Sequence, residues 1–255
     1  MTESVNKLLP LTEEWQTGMA IVAHPDDLEY GASSAIARWT GQGKNFTYCL
    51  LTSGEAGIDG MNPDDARKVR QDEQRASAAA VGVDTVEFLD FPDGVIEYGL
   101  PLRRAVARAI RRRRPDIVVT NNLRDTFDAE QLGLDEPPLN HADHIAAGRA
   151  ILDGVRDAAN RWVFTELLEE GLQPWGGVRQ VWVANSPLSG HGVDVTDSLP
   201  QGVASLRAHE AYIKGLGREN FDPEEYLESL ARRSGTHLGC KFAVCFEVFR
   251  FGTGD

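Results

Sequence analysis

Two short segments carry the groups that can do chemistry. Residues 19–32, MAIVAHPDDLEYGA, bring His24, Asp26 and Asp27 to the end of an apolar, β-strand-like run, and His141-Ala142-Asp143-His144 sets an acid between two histidines just before an Ala-rich stretch. Polar groups at the mouth of a strand are where α/β proteins place binding and catalysis. His24 and Asp27 lie three positions apart, so in a strand-to-helix turn their side chains can converge on one ion while Asp26 points elsewhere. His144 supplies a third ligand. Two imidazoles and one carboxylate leave coordination positions open on a single Zn²⁺ per chain, where water becomes a usable nucleophile near neutral pH. The same donors admit other divalent metals. Asp26, next to a ligand but free of the metal, is placed to act as general base. His141 precedes His144 by one helical turn and can face the same cavity, where it would stabilise an oxyanion or protonate a leaving nitrogen. Asp143 either orients His141 through its ring N–H or turns instead toward His24 or solvent.

Each segment alone has a plainer explanation. The aspartates of HPDD can cap the following helix, and HADH can be a solvated helix start. Both together, at the ends of two strand or loop segments of one acidic chain, favour a metal site with its own base. Two other classes use similar residues. A non-haem Fe(II) oxygenase shares the two-His-one-carboxylate set but usually sits in a β-jelly roll. A non-catalytic, Rossmann-like sugar-binding module has no evident use for Asp26 and His141, and no strong GxGxxG follows the first strand.

Short apolar runs alternate with helical patterns, which predicts a single α/β domain over residues 1–255: Rossmann-like, mostly parallel, with helices on both faces of the sheet. Strands are expected at 19–23, 45–51, 86–89, 116–120 and 180–184, and helices at 32–40, 64–81, 101–113 and 142–160. Asn62 or Asp64, near Pro63, starts the second helix. Beyond Gly190 the pattern reads as one long helical stretch at 199–215, an acidic helix from Pro223, and a final apolar run at 242–249 that pairs with the sheet. Residues 123–140 lack periodicity, carry Pro137 and Pro138 and run straight into His141, so they are expected to form a loop walling the active site.

With 255 residues and a net charge of −13, the chain can bury a full core and has little attraction for nucleic acid or an anionic membrane. A small-molecule partner is favoured. Arg111 to Arg114, the one basic cluster, close a helical stretch before Pro115, where cations complement the negative helix end. Cys49, Cys240 and Cys245 form no CxxC pair and read as reduced core residues. No secretory leader pattern or long apolar span is present, which predicts a cytoplasmic protein without membrane insertion. The oligomeric state stays open, a homo-oligomer included. His191 is read as a residue of a Gly-rich turn, His209 as a packed or surface residue of the long helix, and neither they nor His237 are needed for the chemistry. Trp175 and Trp182 are expected in the core rather than stacked on a sugar.

AHPDDLEYG, residues 23–31, resembles the AHPDDxExG signature of the PIG-L/LmbE-like deacetylases, and HADH at 141–144 is similar to their HPDH. The resemblance extends through TSGEAG (52–57), Arg70 to Glu73 and the Val81-Gly82-Val83 that follows, FPDG (91–94), RPDIVVT (114–120) and Asp194-Val195-Thr196. It implies a zinc-dependent hydrolase on a Rossmann-like sheet that removes an acyl group, commonly acetyl, from an N-acylated amino sugar such as an N-acetylglucosamine unit or a related glycoconjugate. By position, His24, Asp27 and His144 would be the metal ligands, Asp26 the base, and His141 the acid or oxyanion group with Asp143 behind it. Arg70 and Asp93 match positions that contact the sugar in relatives, although an arginine can also pair with an acid on its own helix and an aspartate can simply shape the Pro92-Asp93-Gly94 turn. Ala142 replaces the usual proline of HPDH. Leu139 and Asn140 stand where some relatives carry a tyrosine.

Overall fold

The expected strands assemble into one sheet in a computed structural model that describes residues 7–217 and 220–252. Its strands are β1 (Leu9–Pro10), β2 (Thr17–Val22), β3 (Asn45–Leu50), β4 (Thr85–Phe88), β5 (Ile117–Thr120), β6 (Gln180–Ala184), β7 (His191–Asp194) and β8 (Ala243–Arg250). The order across the sheet is β1-β7-β8-β6-β5-β2-β3-β4. Strand β8 runs antiparallel to β6 and β7, and the other pairings are parallel. The helices are α1 (Ser33–Gly41), α2 (Pro63–Ala80), α3 (Leu100–Arg113), α4 (Ala129–Leu132), α5 (Ala142–Ala159), α6 (Glu166–Glu169), α7 (Leu199–Arg207), α8 (Glu210–Gly215) and α9 (Pro223–Leu238).

Strand β2 reads as an unbroken apolar run because both of its faces are buried. Ala20 and Val22 join residues of α1, α2, α7 and α9 in one core, while Met19 and Ile21 join α3 and α5 in the other. Trp15, Trp39, Phe46, Trp182 and Phe246 pack with ring centroids 5.2–6.1 Å apart in the first core, which is where Trp182 lies. Trp175 packs against the second core and donates its indole N–H to the Pro115 carbonyl at 2.8 Å. Asn62 rather than Asp64 caps α2, accepting from the Asp65 amide at 3.1 Å. Cys49 and Cys245 are buried, Cys240 is half-buried, and none is in a disulfide. Among the described residues no helix is long and apolar enough to cross a membrane.

Three expectations change in the tertiary structure. The stretch 199–215 is two helices, because the chain breaks at Ala208 and His209, where His209 (φ −85°, ψ 53°) is fully buried with Nε2 3.7 Å from Glu29 Oε2. A buried carboxylate–imidazole contact outweighs the local helical pattern there. His191 sits in β7, paired to Leu9 and Phe246, instead of in a free turn. The segment 123–140 is a closed loop that contains α4; Thr126 bridges Leu139, and the Asn140 side chain donates to the Asn122 and Arg124 carbonyls.

Arg111, Arg112 and Arg113 stand in the last turn of α3 as expected, but Arg111 takes partners on another helix. Arg111 is 1% exposed and donates to the carbonyls of Asp157, Ala158, Asn160 and Val163, so it caps the end of the neighbouring α5, not its own helix. Helix ends leave such carbonyls without intrahelical partners. Arg111→Met is expected to destabilise the fold by about 2–4 kcal/mol, because several buried acceptors lose their donor at once. Urea unfolding checks this: the midpoint should fall with the slope unchanged, and an unshifted midpoint would deny Arg111 that role.

Candidate metal centre and active site

Strands β2 and β5 lie side by side, and the chain leaves their carboxyl ends toward opposite faces of the sheet, through α1 on one side and through the 123–140 loop to α5 on the other. Ligand crevices of open α/β sheets form at such a switch point. His24, Asp26 and Asp27 leave the end of β2, Asn121 leaves β5, and Asp143 and His144 come from the first turn of α5. They line a cavity of about 630 Å³.

Asp26 has φ 89°, a left-handed conformation that costs a non-glycine residue about 1–3 kcal/mol. Its amide donates to Gln74 Oε1 at 3.1 Å, and Gln74 Nε2 donates to Glu29 Oε1 at 2.9 Å, so α2 braces the turn. The two adjacent aspartates have different partners. Asp27 Oδ1 lies 2.9 Å from His144 Nε2, and its Oδ2 accepts from the His24 amide at 2.9 Å. Asp26 Oδ2 is buried and accepts no hydrogen bond, with the Arg70 guanidinium 3.5 Å away.

His24 Nδ1 and His144 Nε2 face each other at 3.3 Å beside Asp27 Oδ1. Their outer nitrogens are held from behind. His144 Nδ1 pairs with Asn140 Oδ1 at 2.8 Å, and His24 Nε2 lies 3.0 Å from Asp93 Oδ1 and 3.2 Å from Asp143 Oδ2. Those acceptors place the ring protons outward and aim the two imidazole lone pairs and a carboxylate oxygen at one point, an arrangement that a proton or a cation must neutralise. The donor set therefore fits a divalent metal such as zinc. Asp93 and Asp143 with His24 form a second trio, but Asp143 already accepts from the Gly94 and Ile96 amides, which makes it a brace for His24.

The electrostatics follow this packing. Burial opposes a charge on His24, but hydrogen bonds to Asp143, Asp27 and Asp93 outweigh it and raise the imidazole well above its usual range. Burial likewise works against the Asp27 carboxylate, yet His144 and His24 hold it well below its usual range. The Asp26 carboxyl is pushed up by burial, against the pull of Arg70. His141, exposed at the start of α5 with its ring centroid 5.1 Å from that of His144, is lowered by desolvation and by the two nearby imidazoles.

Residues 19–155 match PIG-L, described as GlcNAc-PI de-N-acetylase, over more than half of the chain. The chain belongs to the PIG-L family. This PIG-L protein is 28% identical to the diacetylchitobiose deacetylase of Thermococcus kodakarensis over 238 residues, 92% of this chain and 83% of the relative. Among solved structures, the N,N'-diacetylchitobiose deacetylase of Pyrococcus horikoshii superimposes with a TM-score of 0.78 at 20% identity, covering 93% of this chain and 85% of that one. GalB, a 4-carboxy-2-hydroxymuconate hydratase of Pseudomonas putida, reaches 0.72 at 19% identity, covering 94% and 99%. One fold thus holds differently named activities, and the residues of the site decide between them.

The PIG-L structure brings together all eight residues singled out in the sequence: His24, Asp26, Asp27, Arg70, Asp93, His141, Asp143 and His144 line one cavity. Asp143 takes the second of its two expected orientations, toward His24, and does not orient His141. Arg70 is 1% exposed, donates to the Pro25 carbonyl at 2.5 Å and lies 3.8 Å over the Tyr212 ring. Gly54 (φ 64°) permits this, since a Cβ there would stand 2.8 Å from Arg70 Nε. Asp93 accepts from the Ala56 amide at 2.8 Å besides meeting His24. His191, His209 and His237 do not line the cavity.

Sequence reasoning missed Asn140, Gln74, Glu29 and Tyr212, whose hydroxyl hydrogen-bonds the Asp26 carboxylate. Asn140 had a readable signal, an amide one helical turn before His144. Gln74 and Tyr212 had none, because a polar residue on an amphipathic helix looks solvated until its neighbour is known.

Proposed function

We propose that this PIG-L protein is a zinc-dependent amide hydrolase that removes an acetyl group from the nitrogen of an N-acetylated amino sugar or glycoconjugate. The observation that carries the reading is the inward-facing His24, Asp27 and His144 donor set, with the Asp26 carboxylate, outside that set and ion-paired to Arg70, lining the same cavity. Family membership and the N-acetyl sugar named for the Thermococcus relative support the substrate class. His24 Nδ1, Asp27 Oδ1 and His144 Nε2 would hold the metal, which when bound supplies Lewis-acid polarisation of the acyl oxygen and a water acidified toward neutrality.

The chain's own groups do the rest. Asp26 takes the proton of the attacking water on Oδ2; burial raises its carboxyl toward a useful basicity, and Arg70 and Tyr212 keep it aimed. The proton that Asp26 removes from the water is the one the departing amine requires, and His141, whose imidazole is lowered by desolvation and so releases a proton readily, would pass it on, while the second proton of the water leaves with the acetate product. Asp93 and Asp143 keep the His24 ring fixed, while Arg70 and Asp93 flank the place where the sugar sits. Three free cysteines support a reducing compartment, the cytoplasm.

Incubating the zinc-loaded protein with N-acetylglucosamine, diacetylchitobiose and glycolipid analogues tests the reaction by fluorogenic detection of new primary amine. Amine and acetate should appear in equal amounts, vanish after chelation and return with zinc. Protein carrying one zinc per chain that releases no amine from any of them would overturn the reading.

A further inference from the structure

Helix α2 reaches Asp26 by more than one route. Arg70 stands beside its carboxylate and Gln74 braces its amide, while Glu73 Oε1 accepts from the Ala211 amide at the start of α8. The next residue of α8, Tyr212, lays its ring over the Arg70 guanidinium and hydrogen-bonds Asp26. Resting on the amide-hydrolase reading above, we infer that Glu73 is a positioning residue of that reaction: it latches α8 onto α2 and, through Tyr212, fixes Arg70 and the Asp26 carboxylate. Glu73 itself does not line the cavity, whereas Tyr212 does.

A helix as short as α8, six residues, does not hold its own shape in water. The Lys214–Glu210 pair on its surface is exposed and adds little. Its hold is tertiary. His209, just before it, is buried against Glu29, Ile213 packs on the first core, and Gly215 lies so close to Ile58 that an added Cβ would stand 3.0 Å away. None of these contacts serves the amides of the first turn, which lack intrahelical acceptors, and His209 makes no capping hydrogen bond to them. Glu73 supplies the missing acceptor from the neighbouring helix. It does so at a cost, because its Oε2 is buried without a hydrogen-bond partner. An apolar side chain would fill that place more cheaply if packing were its only task. What the carboxylate adds is a fixed start for α8, one residue before the ring that covers Arg70.

The test compares Glu73→Leu, which removes the acceptor, with Glu73→Gln, which keeps one oxygen for the Ala211 amide, on the zinc-loaded full chain with N-acetylglucosamine and diacetylchitobiose. Glu73→Leu should lower kcat about 10–100-fold, as displaced catalytic groups do, with KM within about threefold. KM holds because Arg70 keeps its bond to the Pro25 carbonyl, and zinc content stays parental because no donor of the set is touched. Glu73→Gln should stay within about threefold of the parent in kcat. A double-mutant cycle separates positioning from plain packing: in a Tyr212→Leu background, Glu73→Leu should cost less than about twofold. Hydrogen exchange reads the latch without turnover. The amides of α8 should exchange at least about tenfold faster in Glu73→Leu but not in Glu73→Gln, with β2 and α5 equally protected in both. Selective opening of α8 in a protein whose parent releases no amine would sink the hydrolase reading and leave the latch standing. Amine release together with parental exchange in Glu73→Leu, equal opening in the two variants, or additive kinetic losses with Tyr212→Leu would overturn the latch alone. Neither release nor opening would overturn both.

Discussion

Asp26→Asn should keep its zinc and lose about 10²–10⁴-fold in kcat, the usual contribution of a positioned general base. The substitution is chosen for its backbone as much as for its charge. Asp26 sits at φ 89°, and asparagine is among the few side chains that tolerate the left-handed region. The brace from Gln74 to the main-chain amide is untouched, and the amide oxygen can still accept from Tyr212. What disappears is the carboxylate that the proposed mechanism uses as its base. Elemental analysis for zinc together with steady-state kinetics on an N-acetylated sugar decides it; near-parental kcat in a fully metallated variant would remove Asp26 from the mechanism.

His144→Ala should behave in the opposite way, losing the metal first and activity as a consequence. With its imidazole gone, the set retains His24 Nδ1 and Asp27 Oδ1, two donors where three converged. Asn140→Asp gives the graded control: Asn140 Oδ1 sets the ring and tautomer of His144 from behind and its Nδ2 ties the loop to the Asn122 and Arg124 carbonyls, so the substitution removes the loop donors and charges the acceptor while keeping the shape. Mutation of such an outer partner typically weakens metal binding about 10–100-fold, well short of losing a ligand. Zinc titration against a competing chelator measures both. Parental affinity in His144→Ala would exclude His144 as a ligand, and equal losses in the two variants would mean that Asn140 does more than orient.

The two segments of the candidate site were legible because their chemistry is local. HPDD and HADH each place their donors within four residues, so a turn or one helical turn suffices to aim them, and apolar alternation identifies the strand that delivers the first. The helices α1, α2, α3 and α5 announce themselves through their periodicity and end signals to within about two residues. Short β1 and β7 did not, since two to four residues carry too little pattern to stand out.

By itself the sequence determined the layered α/β architecture, the family and the residue types that gather in the candidate site, because hydrophobic period and short-range donor spacing are written along the chain. The tertiary structure alone decided which partner each of these groups receives. It turned Asp143 toward His24, broke the 199–215 stretch to bury His209 against Glu29, and sent Arg111 to the end of a different helix. It also braced Asp26 with Gln74 and covered Arg70 with Tyr212. Those contacts join residues far apart in sequence, and a buried polar side chain settles wherever the fold offers a compensating partner, a choice that no local pattern encodes.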